Sequence, residues 1–202
     1  MKDTVLAGRD TAGAKLGMWL FLFTEILLFG GMFLLYAVDR AKHAAEFHAA
    51  AEGLNRFVGA ANTIILLTSS LTMALSIAEL RSGRRERSLM FQSLTILFGC
   101  IFLGVKYFEW TAKIGHGIFP DSPELMKLPK GQILFYGLYF VMTGLHGVHV
   151  LAGIVVLVFM LISTINRRIT HHDYVRIENS GLYWNLVDTI WVYLFPLFYL
   201  IT

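Results

Sequence analysis

The chain has 202 residues, 56% of them hydrophobic and 15% charged, with a mean hydropathy of +0.61. A soluble domain carries about 25% charged residues, so the composition excludes an ordinary water-soluble enzyme and leaves a membrane protein. The formal charge of +3 says little in itself; the basic run RSGRRERS, which could suggest nucleic acid, lies beside a helix end and reads as a topology signal, and the single cysteine, Cys100, excludes an intrachain disulfide or a two-thiolate metal site.

Crossing a bilayer takes about 20 mostly apolar residues. Five stretches qualify or come close, at roughly 16–38, 57–80, 89–110, 132–162 and 181–201. They predict an all-α, polytopic membrane protein: one domain over residues 1–202, with five transmembrane helices in a bundle. The first run, about 23 residues, is longer than the 7–15 of a cleaved signal and is followed by no A-x-A-like site. The eight residues RSGRRERS make the second and third helices antiparallel neighbours. The next connection, IGHGIFPDSPELMKLPKG, holds three of the four prolines and reads as an ordered loop. The fourth stretch runs to about 30 residues and must tilt or project beyond the bilayer. Ser180 is the expected N-cap of the last helix, and Pro196 lies inside it.

Charge sets an expected orientation. Lys2, Arg9 and Lys15, then Arg81, Arg84, Arg85 and Arg87, then Arg167, Arg168 and Arg176 share one side, ten in all. The other side has six: Arg40, Lys42, Arg56, Lys113, Lys127 and Lys130. The positive-inside rule puts the N-terminus in the cytoplasm and the C-terminus outside.

Ionisable groups inside a membrane are costly and face the protein interior. Here they are Glu25, Lys106, Glu109, His146, His149 and Asp188. At ~1.5 Å per residue, Glu25 lies about 14 Å from the inner end of its helix, and Asp188 about 10 Å from the inner end of its own. His146 and His149 enter from the other side and lie about 21 and 25 Å in. Glu25, the two histidines and Asp188 therefore share a depth and form a predicted intramembrane polar cluster. Within it, Glu25 is expected to pair with His149, helped by close helix approach at Gly30, Gly31, Gly144, Gly147 and Gly153. Lys106 and Glu109, one turn apart, predict a local ion pair.

Three readings of the two histidines stay open: structural hydrogen bonding, a proton relay, and metal or cofactor ligation. Ligation is the weakest. Zinc needs three or four ligands, and a bis-histidine haem needs rings from opposite sides, whereas both histidines sit on one helix. No metal site and no catalytic residue is predicted.

The segments WLFLFTEILLFGGMF, ANTIILLTSSLT, FLGVKYFEW, GLHGVHVLAG and ENSGLYWNLVDTIWVYLFPLFYLI occur in that order over about residues 16–201. In order and number they resemble subunit III of the haem-copper oxidases, in its short five-helix bacterial form. The resemblance implies a non-catalytic core subunit of a proton-pumping terminal oxidase in the bacterial cell membrane, with no catalytic centre of its own. It implies haem and copper in partner subunits, direct packing on subunit I, and subunits II and IV in the complex. It also implies bound phospholipid in a cleft between the first two helices and the last three. Lys15, Trp19 and Arg56 are the expected lipid contacts, from their positions at helix ends. Glu25, Glu109, His146, His149, Asp188, Trp184 and Trp191 match family motif positions. The family commonly has histidine after the tryptophan of the last helix; this chain has Asn185, which cannot titrate. Glu25, where some quinol oxidases have aspartate, leans toward the cytochrome c branch; quinol-oxidase and nitric-oxide-reductase-associated relatives are the alternative. A stand-alone proton-coupled transporter is a remote second class, without the inverted repeats such proteins show.

Overall fold

A computed structural model describes residues 2–170 and 174–201, with side chains from residue 12 onward. Lys2 and Arg9 of the charge pattern therefore lie outside the described side chains. The described residues are helical, in the order α1 (Lys2–Lys42), α2 (Ala44–Glu52), α3 (Arg56–Arg81), α4 (Arg85–Gly115), a 3-10 turn (Leu125–Lys127), α5 (Lys130–Ile165) and α6 (Val175–Tyr199).

Several boundaries have a local cause. Asn55 starts α3: its side chain accepts from the N–H groups of Phe57 (3.0 Å) and Val58 (3.2 Å). Gly83, at φ +76°, turns the chain within three residues between α3 and α4, and the Arg84 guanidinium closes the turn on the Glu79 carboxylate. Ser122 holds the proline-rich loop in order, donating to the Gly117 carbonyl (2.5 Å) and accepting from Leu125 N–H (3.2 Å). The C-terminus of α5 is capped by Arg85 of α4, which donates to the carbonyls of Thr164 (3.0 Å) and Ile165 (2.6 Å).

Three expectations are corrected. The connection after α1 contains a helix, α2, which docks through buried Phe47, Ala50 and Ala51. Its Glu46 carboxylate accepts the free Gly131 N–H at the start of α5. The last helix begins at Val175, so Ser180 is no cap; its hydroxyl donates back to the Arg176 carbonyl (2.9 Å) inside the helix. The predicted division between the first two apolar helices and the last three does not occur. The tight turn at Gly83 makes α3 the main partner of α4, and α3 also packs on α6, while α1 lies on α5 and α6.

Among the described residues, four helices are long and apolar enough to cross a membrane: α1 over Ala12–Lys42, α3, α4 and α5. The chain is a helical, polytopic membrane protein. Asn185, Asp188 and the tryptophans and tyrosines of α6 make that helix less apolar, and it is not among the four. Its buried aromatics form the centre of the bundle: Trp184, Trp191, Phe198 and Tyr199 are all fully buried. Tyr36, Phe47 and Phe135 join Phe198 through edge-on contacts of 5.2–5.5 Å between ring centres.

Candidate functional site: polar groups inside the bundle

The predicted four-residue cluster is resolved into separate sites. Glu25 of α1 and His149 of α5 do meet: Glu25 Oε2 lies 2.9 Å from His149 Nε2, with both side chains largely buried. The oxygen sits off the ring N–H axis, so the contact is an ion-pair approach rather than an aligned hydrogen bond. The other ring nitrogen, Nδ1, is 2.8 Å from the Leu145 carbonyl. A carbonyl only accepts, so Nδ1 carries a proton. The contact joins a carboxyl group of α1 to an imidazole of α5 inside the bundle, where ionisable groups pair with one another rather than face lipid.

The glycines named for this approach play little part in it. A Cβ on Gly30, Gly31 or Gly147 would meet nothing within 4 Å, and one on Gly144 would meet the Trp110 ring. Instead, Gly153 of α5 and Gly99 of α4 make room for one indole: a Cβ on either would lie 2.8 Å from Trp184. That indole donates to Ser69 of α3 (2.6 Å).

His146 is one turn away from His149 but turned elsewhere. Its ring stacks on Trp191 at 5.3 Å between centres and meets the edge of Phe102 at 5.5 Å. Asp188 lies on α6 against α3, where the Ser69 hydroxyl donates to it across a long 3.5 Å. Asn185 is exposed and accepts from Ser70 (2.9 Å). Trp191 donates to Thr63 (3.1 Å). The polar residues of α6 are thus mostly spent on fastening α6 to α3.

A second polar site was only half legible. Lys106 and Glu109 pair as expected, at 3.2 Å. The Tyr139 and Tyr199 hydroxyls also bind this pair: Tyr139 donates to Glu109 Oε1 (2.6 Å), Tyr199 donates to the same oxygen, and Lys106 donates to Tyr199 (2.8 Å). The Lys106 ammonium also sits 4.8 Å over the Trp191 ring. These tyrosines are 30 and 90 residues from Glu109 in sequence, so no local spacing announced them.

Of the expected lipid contacts, Trp19 is 60% exposed and Arg56 is exposed. Lys15 is instead drawn onto the protein: its ammonium lies 2.9 Å from Glu178, which the Arg81 guanidinium also meets. That clamp ties α1, α3 and α6 at one end of the bundle. Among the described residues, no three His, Cys, Asp or Glu side chains come together as a metal set.

Comparison with known proteins places these motifs. The family model of cytochrome c oxidase subunit III matches residues 5–202. Cytochrome c oxidase subunit 3 of Allomyces macrogynus is 32% identical over 91% of this chain, which spans 64% of that relative's length. A heme-copper oxidase subunit I+III of Aeropyrum pernix is 30% identical over 91% of this chain and 22% of its own length. A probable quinol oxidase subunit 3 of Staphylococcus haemolyticus is 28% identical over 93% of this chain and 88% of its own. With a match that covers every helix and all the buried polar positions described above, the chain belongs to the cytochrome c oxidase subunit III family.

Proposed function

We propose that the chain is a non-catalytic core subunit of a proton-pumping terminal oxidase, packed against the catalytic subunit I and supporting its proton uptake and integrity. The family match over residues 5–202 carries this reading. A relative named as a fused subunit I+III supports direct adjacency to subunit I. In this reading haem and copper reside in partner subunits, subunits II and IV complete the complex, and this chain binds phospholipid but no haem. The helix α6 is the fifth span. Although less apolar than the others, it is buried against α1, α3 and α5 and so meets little lipid. The N-terminus faces the cytoplasm of a bacterial cell and the C-terminus faces outward, following the ten-to-six division of basic residues.

The Glu25–His149 contact is where the chain would influence protons. Removing the chain from the purified complex should leave oxygen reduction running but slow proton uptake and shorten its active lifetime. Glu25→Gln keeps the shape and a hydrogen-bonding group and should leave assembly intact, because interhelical hydrogen bonds in membranes average about 0.6 kcal/mol. If Glu25→Gln also slows proton uptake, the pair relays protons; if only Glu25→Ala does, through loss of assembly, the pair is structural. A chain whose removal abolishes oxygen chemistry at once would overturn the non-catalytic reading. Relatives named as quinol oxidases favour one second reading, a quinol-oxidase subunit III. Oxidation of a quinol, and not of reduced cytochrome c, by the complex would select it.

A further inference from the structure

A pocket of about 500 Å³ opens where α3 begins and α4 ends. Its apolar walls include Val58, Val105, Phe108, Ala112 and Ile118, and its polar side chains are Lys113, His116, Glu109 and Asn55, the last with its oxygen committed to the first turn of α3. The two kinds of surface are segregated by chemistry. On the apolar side the pocket opens past Phe108, which is 72% exposed. On the polar side Lys113 sits half-buried, with one proton given to the Gly53 carbonyl (2.5 Å) and its ammonium 5.6 Å over the Tyr136 ring. The negative charge of Glu109 is already matched by Lys106 and two tyrosine hydroxyls. The charge left unbalanced in the pocket is therefore that of Lys113, with the His116 side chain on the same wall.

We propose that this pocket seats the phosphate of a membrane phospholipid. Lys113 and His116 hold the headgroup, and an acyl chain runs along Val105 and Phe108. The apolar walls select a lipid over a free phosphate, since a soluble anion would gain nothing from them. Juxtamembrane cations attract anionic headgroups, and aromatic residues collect at the membrane interface. The site rests on the reading that α3 and α4 span a bilayer, and not on which oxidase the chain serves. It lies away from the groove between α1 and α6 that Ile26, Phe33 and Tyr193 line.

The test uses the intact complex in phosphatidylglycerol nanodiscs containing a photoreactive acyl-chain phosphatidylglycerol, with labelled peptides mapped by mass spectrometry. The proposal expects residues 105–118 to be labelled more than the exposed α5 face at Val155 and Phe159. Unlabelled phosphatidylglycerol should compete, and glycerol phosphate should not. Lys113→Gln keeps a donor for the Gly53 carbonyl while removing the charge, and should lower labelling about fivefold. Ala112→Trp fills the pocket without altering charge and should abolish labelling there. Equal labelling of both faces, indifference to both substitutions, or competition by glycerol phosphate would each overturn the site. Loss of the haem-bearing partner during purification, with pocket labelling retained, would count against the oxidase reading alone.

Discussion

Lys106 is the residue that most tests the account of the interior. It is 8% exposed, and its charge is answered by Glu109 at 3.2 Å and by two tyrosine hydroxyls. A buried ion pair contributes little against a well-packed apolar replacement, whereas removing one partner strands a charge at about 3–5 kcal/mol. Glu109→Gln should therefore lower the thermal stability of the complex sharply. The double substitution Lys106→Met with Glu109→Gln should recover most of the loss, because no charge is left uncompensated. Thermal release of the chain from the complex in mild detergent measures both. A double variant no better than the single one would mean that the pair is held by more than charge. At this scale the sequence was informative about local partners and poor on distant ones. The i, i+3 spacing of Lys106 and Glu109 announces their contact. Depth along each helix brings Glu25 to His149. Nothing in spacing shows that Tyr139 and Tyr199 close over Glu109, or that His146 turns from Glu25 toward Trp191, because rotation of a helix about its axis is set by packing.

At the scale of elements, the apolar runs marked the long helices, and their ends were the weak point. Hydropathy sees neither α2, whose apolar face is one turn of Phe47 with Ala50 and Ala51, nor the first turn of α6, which is polar and lies beyond the apolar run. Helix pairing was legible where a tight turn enforces it, as at Gly83, and misread where α2 separates α1 from α3. The interior of the α4–α5–α6 assembly depends on Trp184, pinched between Gly99 and Gly153 and fully buried. Gly153→Ala would put a methyl group 2.8 Å from Trp184 Cε3, with the ring unable to retreat past Gly99. The expected cost is about 1–3 kcal/mol, the range for overpacking a filled core. Gly147→Ala, whose added methyl group meets nothing, should be near neutral in this chain. Paired melting curves of the two variants check this, and equal stabilities would show that Trp184 has room that the structure does not give it.

For the whole molecule, the arrangement is that of a helical bundle whose outer faces are made to be covered. Its large apolar exposures, such as Leu34 at 71%, Ile64 at 65%, Phe108 at 72% and Phe159 at 66%, run over the outer faces of α1, α3, α4 and α5. Those faces need lipid or a partner, since no exposed apolar surface of this extent is stable in water. Polar contacts at the helix ends join the helices: Glu178 clamps α1 and α3 to α6, Glu46 caps α5, and Arg85 ties α4 to the end of α5. The measurement that bears most directly on the central claim is purification of the tagged chain from its native membrane in mild detergent, followed by an absorbance spectrum before and after separation of the subunits. The account predicts that the chain elutes with a haem-bearing subunit I, that the complex shows a Soret band, and that the separated chain shows none. A chain that purifies alone, or one that keeps the Soret band after every partner is removed, would contradict it.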